Sequence, residues 1–320
     1  MSIQTHIATT LDATTPAKIR YDINVKEVLA DVQILSRILK YTVEELRELS
    51  IDEIISCINK NDIEIGKTPV NPGLTNLGKV SGHITEDVVP NEGTIFFDIR
   101  FPIYYKGNSI KILINIEAQK STDANKLGYH IENRIIYYLS RMISSQKDIE
   151  FFNSNYDDIK KVYSIWICMD ATKTHDSIHE FVFTPRTIFG QEKNFPFIDK
   201  MRGAIINIRK SGNVKESKHK LISMLEDLLS NEQHSVKKQK LVEKHGIKMT
   251  VELERRIGDM CNLSDVCEER GLEKGIEKGI TALVKTLKEL NKNNDFIISK
   301  IMENFSLSDQ DAKKYLYNIK

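Results

Sequence analysis

Apolar positions recur every three to four residues across 22–40, DINVKEVLADVQILSRILK, where Val25, Val28, Leu29, Val32, Leu35 and Leu39 form one stripe. That period predicts an amphipathic helix. A second helix is expected in TVEELRELSIDEIISCINK, with Thr42 and Glu45 at capping-box spacing. Residues 61–93 then lose all periodicity and gather Pro69, Pro72, Gly73, Gly78, Gly82 and Pro90. They read as a long loop with short extended pieces, a kind of segment that is often functional. The stretch 94–120, TIFFDIRFPIYYKGNSIKILINIEAQK, is apolar and strand-like and reads as a hairpin. DANKLGYHIENRIIYYLSRMISSQ returns to a helical period, with Leu127, Ile131, Ile135, Tyr138 and Met142 as its buried stripe. KVYSIWICM is a nearly continuous apolar run of strand length, which suits a sheet interior and makes Trp166 a core residue. SIHEFVFT and GAIINIR are further strand candidates.

This order predicts an α/β core built on a mixed sheet. From Lys215 onward the chain is helix-prone throughout, and its last 25 residues read as two short helices split at FSLSDQ. Three regions follow: a loose tail over 1–21, a core domain over 22–212 and an all-helical C-terminal region over 213–320.

The chain of 320 residues has a formal net charge of +1, so no global basic field points to nucleic acid, and such a reading must rest on a local patch. Cys57, Cys168, Cys261 and Cys267 form no C-x-x-C pair. They suit reduced thiols and a cytoplasmic setting. The N-terminal stretch lacks an apolar core of signal-peptide length, and no apolar run reaches the ~18 residues of a membrane span.

The hairpin carries the candidate chemistry. Gly107 followed by Asn108 suits a two-residue type II′ turn, with Gly at the first central position. Such a turn pairs Lys106 with Ser109, and counting outward places Asp98 directly opposite Glu117. Opposed residues share a face, so the two like charges repel. Gln119, two residues on, lies on the same face, and Lys120 on the other. Pro102 marks an edge or a bulge, and a bulge would shift this register. Spacing alone leaves two readings open: a solvated face with incidental charges, or a cation site of the kind that holds Mg²⁺.

Asp98, then Glu117-Ala118-Gln119 on the next strand, then a helix, resembles the PD-(D/E)XK nuclease superfamily. Within it the chain resembles the recombination-promoting nucleases, described as transposases, in ADVQILSRILKYTVEELRELSIDEI, GTIFFDIRF, INIEAQ, YYLSRMISSQ and MCNLSDVCEERGLEKGIEKGI. The resemblance implies a restriction-endonuclease-like core with a mixed central sheet flanked by helices. It implies Mg²⁺-dependent hydrolysis of DNA, with Mn²⁺ as a substitute, and makes Asp98 and Glu117 metal ligands. Gln119 stands where the superfamily has Lys, as it commonly does in the narrower family. An amide orients water or phosphate only by hydrogen bonds, so the metal must carry most of the charge stabilisation. The resemblance also implies an acidic residue from the first helix, best matched by Asp31, with Glu45 and Glu48 as weaker matches. It sets Arg134, Tyr137 and Arg141 on a helix beside the site, with Arg134 favoured for phosphate.

Other features weigh less. His175, Asp176 and His179 in THDSIHE would share a metal only on a helix, and the flanking residues favour strand or loop. Gly271, Gly275 and Gly279 form a ridge that suits a close helix neighbour, either a second copy of the chain in a homo-oligomer or the nuclease core. VKKQK reads as a solvated basic run. The expectation is therefore a DNA endonuclease acting in recombination, transposition-like events or defence. The alternative is an inactive nuclease fold that binds DNA or a protein partner through its helical C-terminus.

Overall fold

The computed structural model describes residues 16–66, 86–89, 93–107, 109–119, 122–172, 175–209, 216–305 and 307–318. The chain divides into two compact units, Met1–Cys261 and Asn262–Lys320. The first opens with α1 (Pro16–Leu29) and α2 (Val32–Thr42), followed by α3 (Ile51–Ser56) and β1 (Glu64–Ile65). β2 (Glu86–Val89) and β3 (Gly93–Phe96) form a separate hairpin, and β4 (Ile99–Tyr105) and β5 (Ile110–Gln119) form the next. Then come α4 (Ala124–Leu127), α5 (Ile131–Ser144), β6 (Lys161–Thr172), β7 (Ser177–Val182) and β8 (Met201–Arg209). The helices α6 (Lys220–Leu229), α7 (His234–Glu243), α8 (Val251–Glu289), α9 (Asn294–Phe305) and α10 (Asp309–Asn318) complete the chain.

Six strands form one mixed sheet in the order β1-β4-β5-β6-β8-β7. β5, β6 and β8 run parallel, and the outer pairings are antiparallel. The central strands are therefore apolar on both faces. Ile112, Ile114, Ile116, Ile165, Ile167 and Ile206 pack on one side with residues of α1, α2 and α6. Leu113, Val162, Trp166, Cys168 and Ile205 pack on the other against the α5 stripe Ile131, Ile135, Tyr138, Leu139 and Met142. Each such large side chain contributes about 1.5–3 kcal/mol through burial.

The hairpin register is the one the turn predicts. Ile99 pairs with Ile116 and Tyr105 with Ile110, and Pro102 pairs with Leu113 without a shift. Tyr104 donates its N–H to the Cys57 carbonyl, on the side away from β5. Pro102 lies two residues earlier, so its missing N–H faces that same side and the β4–β5 ladder loses nothing. At the turn, Ser109 N–H donates to the Lys106 carbonyl, and both Lys106 and Gly107 have positive φ, at 50° and 61°.

Several expectations need correction. The helix expected over 22–40 begins at Pro16, inside the supposed tail, and breaks at Ala30–Asp31. Asp31 starts a new helix there by accepting from Gln33 N–H at 2.8 Å. The capping box belongs to Ser50 and Glu53, not to Thr42 and Glu45. Thr42 still sits on the last turn of α2, with its hydroxyl donating to the Ile38 carbonyl at 2.8 Å. The change of character after residue 212 marks the end of the sheet but not of the core, because Leu221, Leu225, Leu228, Leu241, Leu253 and Ile257 are buried in it. Most of the punctuated loop, with Pro69, Pro72, Gly73, Gly78, Gly82 and Pro90, lies outside the described residues.

The second unit buries Ile280 and Val284 against Ile297, Ile298 and Ile301 and against Ala312 and Leu316. A Cβ at Gly279 would come within 3.1 Å of the Phe305 ring. That glycine therefore meets a later helix of its own chain, and the surroundings of Gly271 and Gly275 lie outside the described residues. Among the described residues no helix is long and apolar enough to cross a membrane.

Candidate active site

Asp98 lies at the bend between β3 and β4, and Glu117 lies near the end of β5. Both are buried, at 6% and 3% exposure. Their backbones and side chains interlock. Asp98 N–H donates to Glu117 Oε1 at 3.0 Å, and Ala118 N–H donates to Asp98 Oδ2 at 2.9 Å. One oxygen of each carboxylate thus fixes its orientation. The remaining two face cations: Asp98 Oδ1 lies 2.8 Å from Lys26 Nζ, and Glu117 Oε2 lies 3.8 Å from Arg134 Nη2.

The two cations are held differently. Arg134, on α5, donates to the hydroxyls of Tyr129 at 2.8 Å and Tyr138 at 2.7 Å. Its guanidinium also lies 5.0 Å from the Trp166 ring centroid, and Trp166 is fully buried. Stacking and a planar fork fix such a group in place. Lys26, on α1, bridges Asp98 and Asp22, the latter at 2.6 Å and half-exposed.

The electrostatics follow from this packing. Burial pushes Glu117 well above the usual carboxylate range, and the Asp98 charge opposite adds to the rise. Burial also raises Asp98, against the lowering effect of Lys26. For Lys26 burial alone would depress the ammonium, but Asp98 and Asp22 together raise it. Two buried like charges in this state gain from a cation between them. The two carboxylate oxygens not fixed by backbone N–H groups, drawn here to Lys26 and Arg134, suit a hard divalent ion that keeps several waters, so the residues present fit such a group. Gln119, half-buried, adds an amide on the same face.

The structure brings Asp98, Glu117 and Arg134 together and leaves other sequence candidates elsewhere. Asp31 caps α2, with its carboxyl raised by burial and with Lys60, Arg256 and Glu252 as its charged surroundings. Glu45 accepts from the Tyr163 hydroxyl at 2.7 Å and from Lys161 at 2.8 Å, and Glu48 is exposed. Tyr137 is exposed while Arg141 is buried, so neither repeats the placement of Arg134. His179 lies on strand β7, and helical i, i+4 sharing with His175 does not arise. In the VKKQK run, Lys237 is buried, while Lys238 and Lys240 stay partly open to solvent and meet Glu254 and Glu232.

Sequence reading missed Lys26 and Asp22. Their i, i+4 spacing and the position of Lys26 at the border of the Val25–Val28–Leu29 stripe were the available signals. It also missed Glu64, opposite Arg100 in the β1–β4 pair. Its Oε2 is buried with no hydrogen-bond partner among the described residues, and burial pushes the group up to about 7, against the lowering effect of Arg100.

No curated protein and no solved structure matches the chain. The family model for PD-(D/E)XK nuclease family transposases matches residues 89–270, a span that takes in Asp98, Glu117, Gln119 and Arg134. With the mixed sheet, its flanking helices and opposed strand carboxylates, that match over more than half its length makes the chain a member of the PD-(D/E)XK nuclease family transposases.

Proposed function

We propose that this protein is a Mg²⁺-dependent endodeoxyribonuclease, with Mn²⁺ as a substitute, that hydrolyses phosphodiester bonds of DNA. Its setting is recombination, transposition-like events or defence in the cytoplasm, in keeping with the buried free thiols of Cys57, Cys168 and Cys261. The observation that carries the reading is the interlocked pair, in which Asp98 and Glu117 each keep one oxygen on a backbone N–H and turn the other toward a cation, Lys26 or Arg134. Those second oxygens would hold the metal, and its chemistry when bound is to neutralise phosphate charge and acidify a water. Gln119 orients that water or a phosphate oxygen by hydrogen bonds. Arg134 keeps Glu117 in place. In the reaction the water oxygen bonds to phosphorus and the P–O bond to one nucleoside breaks. The departing oxygen takes up a proton, leaving one end with phosphate and the other with hydroxyl.

Supercoiled plasmid with Mg²⁺ or Mn²⁺ tests this reading. Wild type is expected to nick or linearise it, and Asp98→Asn and Glu117→Gln each to slow cleavage by about 10³-fold or more. Equal cutting by all three proteins would move the site elsewhere. Absence of cutting by wild type would leave a DNA- or partner-binding role for the helical C-terminal region.

A further inference from the structure

The interlocked pair is served by a residue outside the span that the family model matches. Lys26 belongs to α1, whereas that span begins at residue 89. Its side chain is 11% exposed, and its ammonium lies 2.8 Å from Asp98 Oδ1 and 2.6 Å from Asp22 Oδ2. An ammonium has three donors. Two meet these carboxylates, and among the described residues the third has no partner. Asp22 is half-exposed, so this ammonium stands where the buried pair gives way to solvent.

The other cation at the site is less available. Arg134 is engaged by two tyrosine hydroxyls and stacked against Trp166, and it stops 3.8 Å short of Glu117. Gln119 carries no charge. A transferring phosphoryl group gathers negative charge on its oxygens, and a fixed cation beside it is among the strongest aids a protein can supply.

We propose that Lys26 is a catalytic residue of this site, donating its third N–H to a non-bridging oxygen of the DNA phosphate. Its role is charge and hydrogen bonding, and no bond to it forms or breaks. The assignment rests on the hydrolytic reading above. Position 119 lies on the same face, two residues beyond Glu117, so a lysine there supplies a comparable charge from the strand.

Three proteins test the assignment: wild type, Lys26→Met, and Lys26→Met combined with Gln119→Lys. Each is followed by plasmid cleavage, by Mn²⁺ binding in electron paramagnetic resonance and by melting temperature. Lys26→Met is expected to lower cleavage about 100-fold while binding Mn²⁺ as well as or better than wild type, and the double variant to regain about tenfold. Cleavage by Lys26→Met at the wild-type rate overturns the assignment. So does joint loss of cleavage, Mn²⁺ binding and melting temperature without recovery in the double variant, which makes Lys26 a support of the fold. A wild type that does not cut refutes the hydrolytic reading and this one with it, whereas equal cutting by wild type and Lys26→Met refutes this one alone.

Discussion

The carboxylate pair near the end of β5 and the ionic network around the start of β6 use the same kinds of side chain to opposite ends. In the network, Lys161 joins Glu45 and Asp199, and Arg202 meets Asp199 through two hydrogen bonds of 2.8 Å and Glu180 at 2.9 Å. Burial works against the Asp199 charge, yet its bonds from Arg202 and Lys161 hold it below the usual carboxylate range. These acids also stay partly open to water, with 38% of the Asp199 side chain exposed. Asp98 and Glu117 instead face each other in the interior, and burial raises both, Asp98 even with Lys26 2.8 Å away. Direct pairing with a base at a wetted edge makes an acid structural. Opposition to another acid in a dry interior makes it receptive to a cation or a proton.

Glu117→Gln should separate the two regions most sharply. Beyond its effect on cleavage of about 10³-fold, it should raise the melting temperature of the metal-free protein. A carboxyl raised in the folded state withdraws stability as pH climbs from its unfolded value through its folded one. The gain should therefore be larger at pH 8 than at pH 5, which calorimetry in a chelator measures. A lower melting temperature at pH 8 would show that the pair is not in conflict.

Arg202→Met should do the reverse, lowering stability by about 2 kcal/mol in urea unfolding, since it removes hydrogen bonds to charged groups, while leaving cleavage unchanged. A matched tyrosine pair refines the contrast. Tyr163→Phe removes the hydroxyl that donates to Glu45, and Tyr138→Phe removes one that holds Arg134. Each should reduce stability by about 1 kcal/mol, but only Tyr138→Phe should also slow cleavage. Equal cleavage by both would remove Arg134 from the site. Glu64→Gln should have the smallest effect. Glu64 ionises at about 7 in the fold, so its favourable contribution is complete below pH 4.5 and gone once the pH passes about 7. The difference in melting temperature between variant and wild type should favour the variant more at pH 8 than at pH 4.5.

The register of the β4–β5 hairpin was legible because one dipeptide, Gly107-Asn108, sets it locally and the period of two carries it out to Asp98 and Glu117. The α5 stripe was legible for the same reason, each buried residue following from its neighbours at helical spacing. Helix boundaries were harder to read. Thr42 and Ser50 both precede a glutamate by three residues, and only Ser50 caps, because Thr42 still belongs to the last turn of α2. Asp31 looked like the acid offered by the first helix, but a short polar side chain at a helix start is first used by the nearest free N–H. Lys26 could not be assigned to Asp98 from sequence spacing, since 72 positions separate them and only the packing of α1 on the sheet brings them together.

One small feature fixes where the site can be. Gly66 donates its N–H to the Asp98 carbonyl at 3.0 Å, and a Cβ there would stand 2.7 Å from the Phe97 carbonyl oxygen. That oxygen belongs to backbone and cannot swing aside as a side chain would. The bend carrying Asp98 is thus clamped by a neighbour that contributes no side chain and leaves no room for one. Gly66→Ala would leave every polar group of the site in the sequence and still push the strand off its seat, an injury to alignment rather than to chemistry.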